Sequence, residues 1–362
     1  MKVLNKEELY DILYGATILG TGGGGELSKG LRLIDDALKQ GKEFKLIDFN
    51  EIGDEDLIAT PYYCGAISPE TEEIKKKYEG LPRLTDIPHL KALKEIEAFF
   101  KKEIKGIIST ELGGGNTGIA LYTAAMANKY ILDGDPAGRS VPELQHSTYY
   151  LKGVSIEPLA VCNEFGESAI FTDIANDFRA EKLIRALAVE SKNSIAVIDH
   201  VHPNRIIKKS VIKGAISYAM KIGNAFRNAK KIGKSVSNAV IDAGSGIKLF
   251  EGIVEKNNWD TVDGFTIGET IIKSEKEEYK IWYKNENIVS WKNGTFDVTV
   301  PDLICIMDLE NEMPVINPSI RVGSHVVIYA LPAPEEWKTK KGIELFGPKS
   351  FGFSTNVLTP FE

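Results

Sequence analysis

KGIISTELGGGNTGIALYTAAMANKYILDGD, residues 105–135, decides the fold. An apolar run (KGIISTEL, 105–112) predicts a strand. Three glycines then make a turn, a helical pattern covers about 116–128, and KYILD (129–133) predicts a second, short buried strand. Strand, glycine turn, helix and strand in this order is the unit of a parallel or mixed sheet with helices on its faces. Upstream the same alternation holds. Leu9, Ile12, Leu13 and Ala16 keep the i, i+3, i+4, i+7 spacing of an amphipathic helix that ends at the glycines 22–25. Leu31, Ile34, Ala37 and Leu38 mark a second helix stopping near Gly41, and FKLIDF (44–49) and LIATPYYCG (57–65) predict strands. Ser68 and Pro69, with Glu70, Glu72 and Glu73 behind them, read as a helix N-cap, its first residue and an acidic first turn. Leu90, Leu93, Ile96 and Phe100 mark a further helix.

Downstream the pattern changes. A strand is predicted within 190–200 and a long helix over about 208–231, with Val211 and Ile212 on its apolar face. After about 245, closely spaced strands follow at 247–255, 263–272, 279–284, 287–292, 295–300, 303–308 and 322–331. The turns between them carry Asn and Gly, as at Lys284-Asn285 and Asn293-Gly294. The chain therefore divides into an α/β domain over 1–165 and an α+β domain with a mixed β-sheet or barrel over 166–362, the boundary lying between 155 and 180.

Composition bounds the function. Apolar residues are 43% and charged residues 26% of 362, which fits a globular chain and excludes a disordered one. A net charge of −7 gives no global attraction to nucleic acid or an anionic membrane. MKVLNKEELYDILYG has no apolar h-region, so no secretory signal is predicted and the cytoplasm is the expected compartment. Three cysteines without a CxxC pair argue against a disulfide framework or a Cys-rich zinc site. The expected partner is a small-molecule substrate, without nucleic acid or membrane; homo-oligomer formation stays open.

Three segments carry candidate chemistry. TGGGGE (21–26) places Gly22, Gly23, Gly24 and Gly25 where backbone N–H groups could face an anion or carbonyl. It lacks the GxGxxG spacing and the GK[ST] ending of phosphate loops, so no nucleotide is expected. TELGGGNTG (110–118) sets Gly113, Gly114 and Gly115 at a helix N-terminus past a strand, with Glu111 as a base and Asn116 as a directional hydrogen-bonding group. LDGDPAGRSVPELQH (132–146) gathers Asp133, Asp135, Arg139 and Glu143 in one loop, with His146 one helical turn past Glu143. Those carboxylates could act as catalytic base, with Arg139 clamping a substrate carboxylate. Alternatively Asp133, Asp135, Glu143 and His146 could hold a divalent metal, zinc or similar. On either version Asp135→Asn would cut turnover, and Gly114→Val would abolish ligand binding more than it harms the fold. The structural alternatives are helix caps, tight turns and an Asp–Arg ion pair. Cys64 is weighed as a nucleophile against a buried thiol. His200 and His202 are weighed as metal ligands against a surface turn, and His325 reads as a core histidine.

Five segments in order, ATILGTGGGGE (16–26), TELGGGNTG (110–118), DGDPAGRSVPELQ (133–145), VPDLICIMDLENEMPV (300–315) and RVGSHVVIYALPAPEEWKTKKGIELFGPKSFGF (321–353), resemble the S-methyl-thiohydantoin desulfurase family, also described as hydantoinase-like. The resemblance spans nearly the whole chain. It implies a three-layer α/β N-terminal domain and a C-terminal domain with a swivelling-type mixed β-barrel. It also implies hydrolysis of a small hydantoin-like or thiohydantoin-like heterocycle at a C–S or cyclic amide bond by activated water. Two other classes remain open from the residues alone: a non-catalytic small-molecule binding or regulatory protein, and a phosphate- or nucleotide-dependent enzyme.

Overall fold

The computed structural model describes residues 1–65 and 72–361. The chain opens with β1 (Lys2–Leu4), α1 (Lys6–Leu19), α2 (Leu27–Lys39), β2 (Phe44–Ile47) and β3 (Leu57–Gly65). Then come α3 (Glu72–Lys77), α4 (Pro88–Phe100), β4 (Ile104–Ile107), α5 (Gly114–Met126), β5 (Tyr130–Leu132) and β6 (Gly134–Asp135). The middle holds α6 (Thr148–Leu151), β7 (Leu159–Cys162), β8 (Ser168–Phe171), α7 (Asp177–Val189) and β9 (Ser194–Pro203). Next are α8 (Asn204–Ile207), β10 (Ile212–Lys213), α9 (Ala215–Lys231) and α10 (Val236–Ala243). The last part is β11 (Ile247–Val262), β12 (Phe265–Lys273), β13 (Glu278–Lys284), β14 (Glu286–Lys292) and β15 (Thr295–Thr299). It closes with β16 (Leu303–Asp308), β17 (Met313–Pro314), β18 (His325–Leu331) and α11 (Lys340–Phe346).

Among the described residues the first sheet has eight strands in the order β1-β2-β5-β4-β3-β9-β7-β8. Its β2, β5, β4 and β3 are parallel, and the flanking pairs antiparallel. Its side chains alternate between two cores, as the two-residue repeat of a strand requires. Leu57, Ala59, Ile107, Ile131, Ala160 and Ile198 pack under α1, α2, α4, α5 and α9. On the opposite face Tyr62, Cys64, Val161, Ile195 and Val197 pack under α7, and Ile58, Ile108 and Leu132 under α6 and α8. The sheet thus carries helices on both faces.

The second sheet is antiparallel throughout, in the order β15-β14-β13-β12-β11-β18-β16-β17, instead of the mixed sheet expected. Its β16 and β18 alternate as well. Ile304, Ile306, Ile328 and Ala330 fill its own core, while Leu303, Cys305, Met307, Val327, Tyr329 and Leu331 join the core around α1, α9 and α10. One helical layer is therefore shared by the two sheets. Within it α1 and α9 approach closely because both are notched. A Cβ on Gly15 would stand 1.8 Å from the Ala219 carbonyl oxygen, and one on Gly223 would stand 1.8 Å from that of Asp11.

The stretch from 166 to about 246, assigned from sequence to the second domain, supplies β8, β9 and α7–α10 to the first sheet and its helices. The predicted helix over 208–231 starts later, at Ala215, because Ile212 and Lys213 pair instead with Asp135 and Gly134. KGIISTEL is a strand only to Ile107. The Ser68–Glu70 cap lies outside the described residues.

Candidate functional site

The two glycine runs pack against each other. A Cβ on Gly24 would lie 2.5 Å from Gly113 Cα, and one on Gly30 2.0 Å from the Gly114 carbonyl oxygen. Three N–H groups at the start of α5 are used within the protein. Gly115 N donates to Gly24 O at 3.0 Å, Asn116 N to Gly24 O at 3.0 Å, and Gly113 N to Thr117 Oγ1 at 3.1 Å. These three are not free for the anion cradle read from the sequence. The loop 21–26 is also pinned to the second sheet, by Asn287 N to Thr21 O at 2.9 Å and Asn317 N to Gly22 O at 2.8 Å. Gly23 is bare for a different reason: a Cβ there would stand 1.8 Å from Glu286 Oε1.

A cavity of about 1060 Å³ opens beside this junction, lined by Gly22–Gly25, Glu111, Asn116, Glu143, His146, Glu286 and Asn317 among others. At its floor three side chains from three segments meet. Ser140 Oγ lies 2.9 Å from Glu111 Oε2 and 2.8 Å from Glu286 Oε1. Glu111 also accepts from Asn116 Nδ2 at 2.7 Å and Val141 N at 3.0 Å, while Glu286 Oε2 has no partner. Burial raises the pKa of both carboxyls, and each anion would raise the other's further. One hydroxyl proton can serve only one carboxylate. Glu111, with three donors, is the better placed of the two to be the anion. Glu286, pushed up to about 8 by burial and the Glu111 charge, is the better placed to hold a proton, with Ser140 Oγ between them.

The acidic loop is not one cluster. Asp133 Oδ1 and Oδ2 accept from Ser217 N at 2.9 Å and Ser217 Oγ at 2.6 Å, so Asp133 caps α9. Asp135 is fully buried in a turn, with Oδ1 accepting from Ala137 N and Gly138 N and Oδ2 unpartnered; burial pushes its carboxyl up to about 8. Arg139 is no substrate clamp. It is wholly buried and donates to Thr21 Oγ1 at 2.8 Å, Ser140 O, Pro301 O and Asp302 O at 3.0 Å each, and Asn287 O at 3.3 Å. It ties the two glycine loops to the second sheet. Glu143 lines the cavity but is ion-paired with Lys284. His146 packs on Phe346 and Phe351, and burial lowers its pKa to about 4, leaving it neutral.

Asp133 caps a helix and Asp135 closes a turn, while Glu143 and His146 line the cavity, so the four do not meet around a shared metal. Among the described residues no group of three or more His, Cys, Asp or Glu is placed to hold one. Cys64 lines the cavity as a buried thiol whose pKa burial raises to about 12, the opposite of an activated nucleophile. His325 is not a core residue; it is half-exposed and lies 3.0 Å from Glu251. His200 and His202 are not in a surface turn but in β9, and His200 is buried against the cavity. Sequence reading missed Ser140, Glu286 and Asp199 as site residues and weighed His200 only as a metal ligand. Glu286 carried no signal beyond a turn. Asp199 and His200 did, as two polar residues closing a strand of otherwise buried apolar ones.

Fold and site together define a two-domain protein in which an α/β sheet with helices and an antiparallel sheet enclose a carboxyl-lined cavity. Residues 7–173 match the S-Me-THD-like N-terminal domain and residues 175–360 the S-Me-THD-like C-terminal domain. The chain belongs to that family. A crystal structure of a protein from Chromobacterium violaceum, a structural-genomics target, superposes with a TM-score of 0.79 at 18% identity, covering 99% of each chain. That likeness concerns the fold. No curated protein matches the chain. Among the described residues no helix is long and apolar enough to cross a membrane.

Proposed function

We propose that this protein is a hydrolase of small hydantoin-like or thiohydantoin-like heterocycles, acting in the cavity between its two sheets. One observation carries the reading: two buried carboxyls, Glu286 and Glu111, joined through Ser140 Oγ and both lining a cavity of about 1060 Å³. Paired carboxyls whose proton is held by burial suit general acid chemistry near neutral pH. For a 2-methylthio-imidazolone, water adds to the ring carbon bearing sulfur, forming the C–O bond. The C–S bond then breaks, its electron pair leaving on sulfur. The two water protons end on the ring nitrogen and on methanethiol, and a hydantoin remains. Glu286 supplies the proton to the ring nitrogen and is reprotonated by the second water proton, released as the tetrahedral hydroxyl becomes the carbonyl. Family membership supports the substrate class. The C-terminal sheet, an antiparallel sheet where a swivelling-type mixed barrel was expected, delivers Glu286 to loops of the N-terminal domain.

The test is incubation of the full chain with a panel of S-methyl-thiohydantoins, following methanethiol with a thiol reagent and the hydantoin by chromatography. The expected result is steady, equimolar release of both. Binding of these compounds without any release would favour a non-catalytic binding protein and overturn the proposal.

A further inference from the structure

Asp199 and His200 are sequence neighbours on a strand, so their side chains should point to opposite faces. They do not. β9 pairs Asp199 with Thr60 and His202 with Ile58, so two residues of β9, His200 and Val201, stand against the single Ala59 of β3. This bulge places His200 at φ +44, a region L residues seldom adopt, and swings its ring back beside its neighbour. His200 Nδ1 then lies 2.8 Å from Asp199 Oδ1, and the other carboxylate oxygen accepts from Tyr62 OH at 2.7 Å. The ring stacks on Tyr149 with centroids 4.2 Å apart. A carboxylate accepting from Nδ1 fixes the tautomer, leaving the lone pair on Nε2. Nε2 is buried and has no partner in the protein, and Asp199 and His200 both line the cavity described above. Strand β3 couples this pair to the carboxyl site: Tyr62 holds Asp199, and the next residue's N–H, Tyr63 N, donates at 3.2 Å to the Asn116 that holds Glu111.

We propose that His200, oriented by Asp199 and Tyr62, is the general base that takes a proton from the attacking water. This rests on the hydrolase reading above. His200 Nε2 accepts one water proton as oxygen bonds to the ring carbon. The same proton passes to the departing methanethiolate, returning the imidazole to its starting state. Strained backbone and an unpartnered buried nitrogen are both retained at this one residue, which a purely structural histidine would not require.

The decisive variants are His200→Gly and His200→Gln in the full chain, with methanethiol release from an S-methyl-thiohydantoin as readout. Glycine suits φ +44, so His200→Gly is expected to fold, and it leaves a ring-sized space beside Tyr149. Turnover is expected to fall about 10²–10⁴-fold in both variants, the usual contribution of a general base. Binding of unsubstituted hydantoin by calorimetry should change little. Added imidazole should restore His200→Gly by at least about tenfold and leave His200→Gln unaffected, since only the glycine variant has room for it. Turnover within about tenfold of wild type in either variant would overturn the assignment, because neither glycine nor glutamine can take the proton. A wild-type chain that releases no thiol from any of these compounds would overturn the hydrolase reading itself, and this inference with it.

Discussion

Asp135 shows how a residue that reads as catalytic becomes structural once its surroundings are known. Its carboxyl is wholly buried, closes the turn to Gly138, and does not line the cavity. Burial raises its pKa from 3.8 to about 8, so folding favours the protonated form. The stabilisation this provides is complete below pH 3.8 and is lost as pH rises through about 8. Asp135→Asn is therefore expected to keep turnover within a few-fold of wild type and to flatten the fall in Tm between acidic and alkaline buffer. Thermal denaturation at a series of pH values checks this; an Asn variant whose Tm falls as steeply as wild type contradicts it. Sequence alone could not separate Asp135 from Glu111. Both are acidic residues in glycine-rich loops past a strand, and only the loop path shows that one faces a turn and the other the cavity. Glu286 was invisible for a related reason: its proton depends on Ser140 and Glu111, both more than a hundred residues away.

At the scale of elements, the sequence was most legible where local pattern and packing agree. The periodic apolar residues of α1 are all buried, as are Ile34 and Ala37 of α2 and Leu93 and Ile96 of α4, while Leu31, Leu38, Leu90 and Phe100 are half-buried; the strands of the second sheet fall near their predicted positions. It was least legible at β7, β8 and β10, short elements held by tertiary partners and not by pattern, and at α7, a helix with no predicted counterpart. The glycine runs were seen but their purpose was misread, because their counterpart is another glycine run about ninety residues away. A Cβ on Gly114 would lie 2.5 Å from Thr17 Oγ1 and 2.7 Å from Leu27 Cα, against backbone that cannot move aside. Gly114→Val is thus expected to destabilise the fold by about 1–3 kcal/mol or more through overpacking, instead of selectively abolishing binding. Chemical denaturation measures it. A folded variant with wild-type stability and lost hydantoin affinity would restore the ligand-cradle role.

For the whole molecule, the site exists only where the two sheets meet. Glu111 and Ser140 come from loops of the first domain, Glu286 from the start of a strand in the second, and Arg139 with Asn287 and Asn317 fastens the junction. Most of the five separated segments that resemble the family converge on this junction, as its glycine contacts, its carboxyls or its ties. The central claim is that Glu286 delivers a proton there. The most direct measurement is methanethiol release from an S-methyl-thiohydantoin by wild type and Glu286→Gln side by side, with hydantoin binding as the control for an intact cavity. A glutamine keeps the shape and cannot give up a proton, so turnover is expected to fall about 10²–10⁴-fold with binding preserved. Near-wild-type turnover by a folded Glu286→Gln chain would contradict the account.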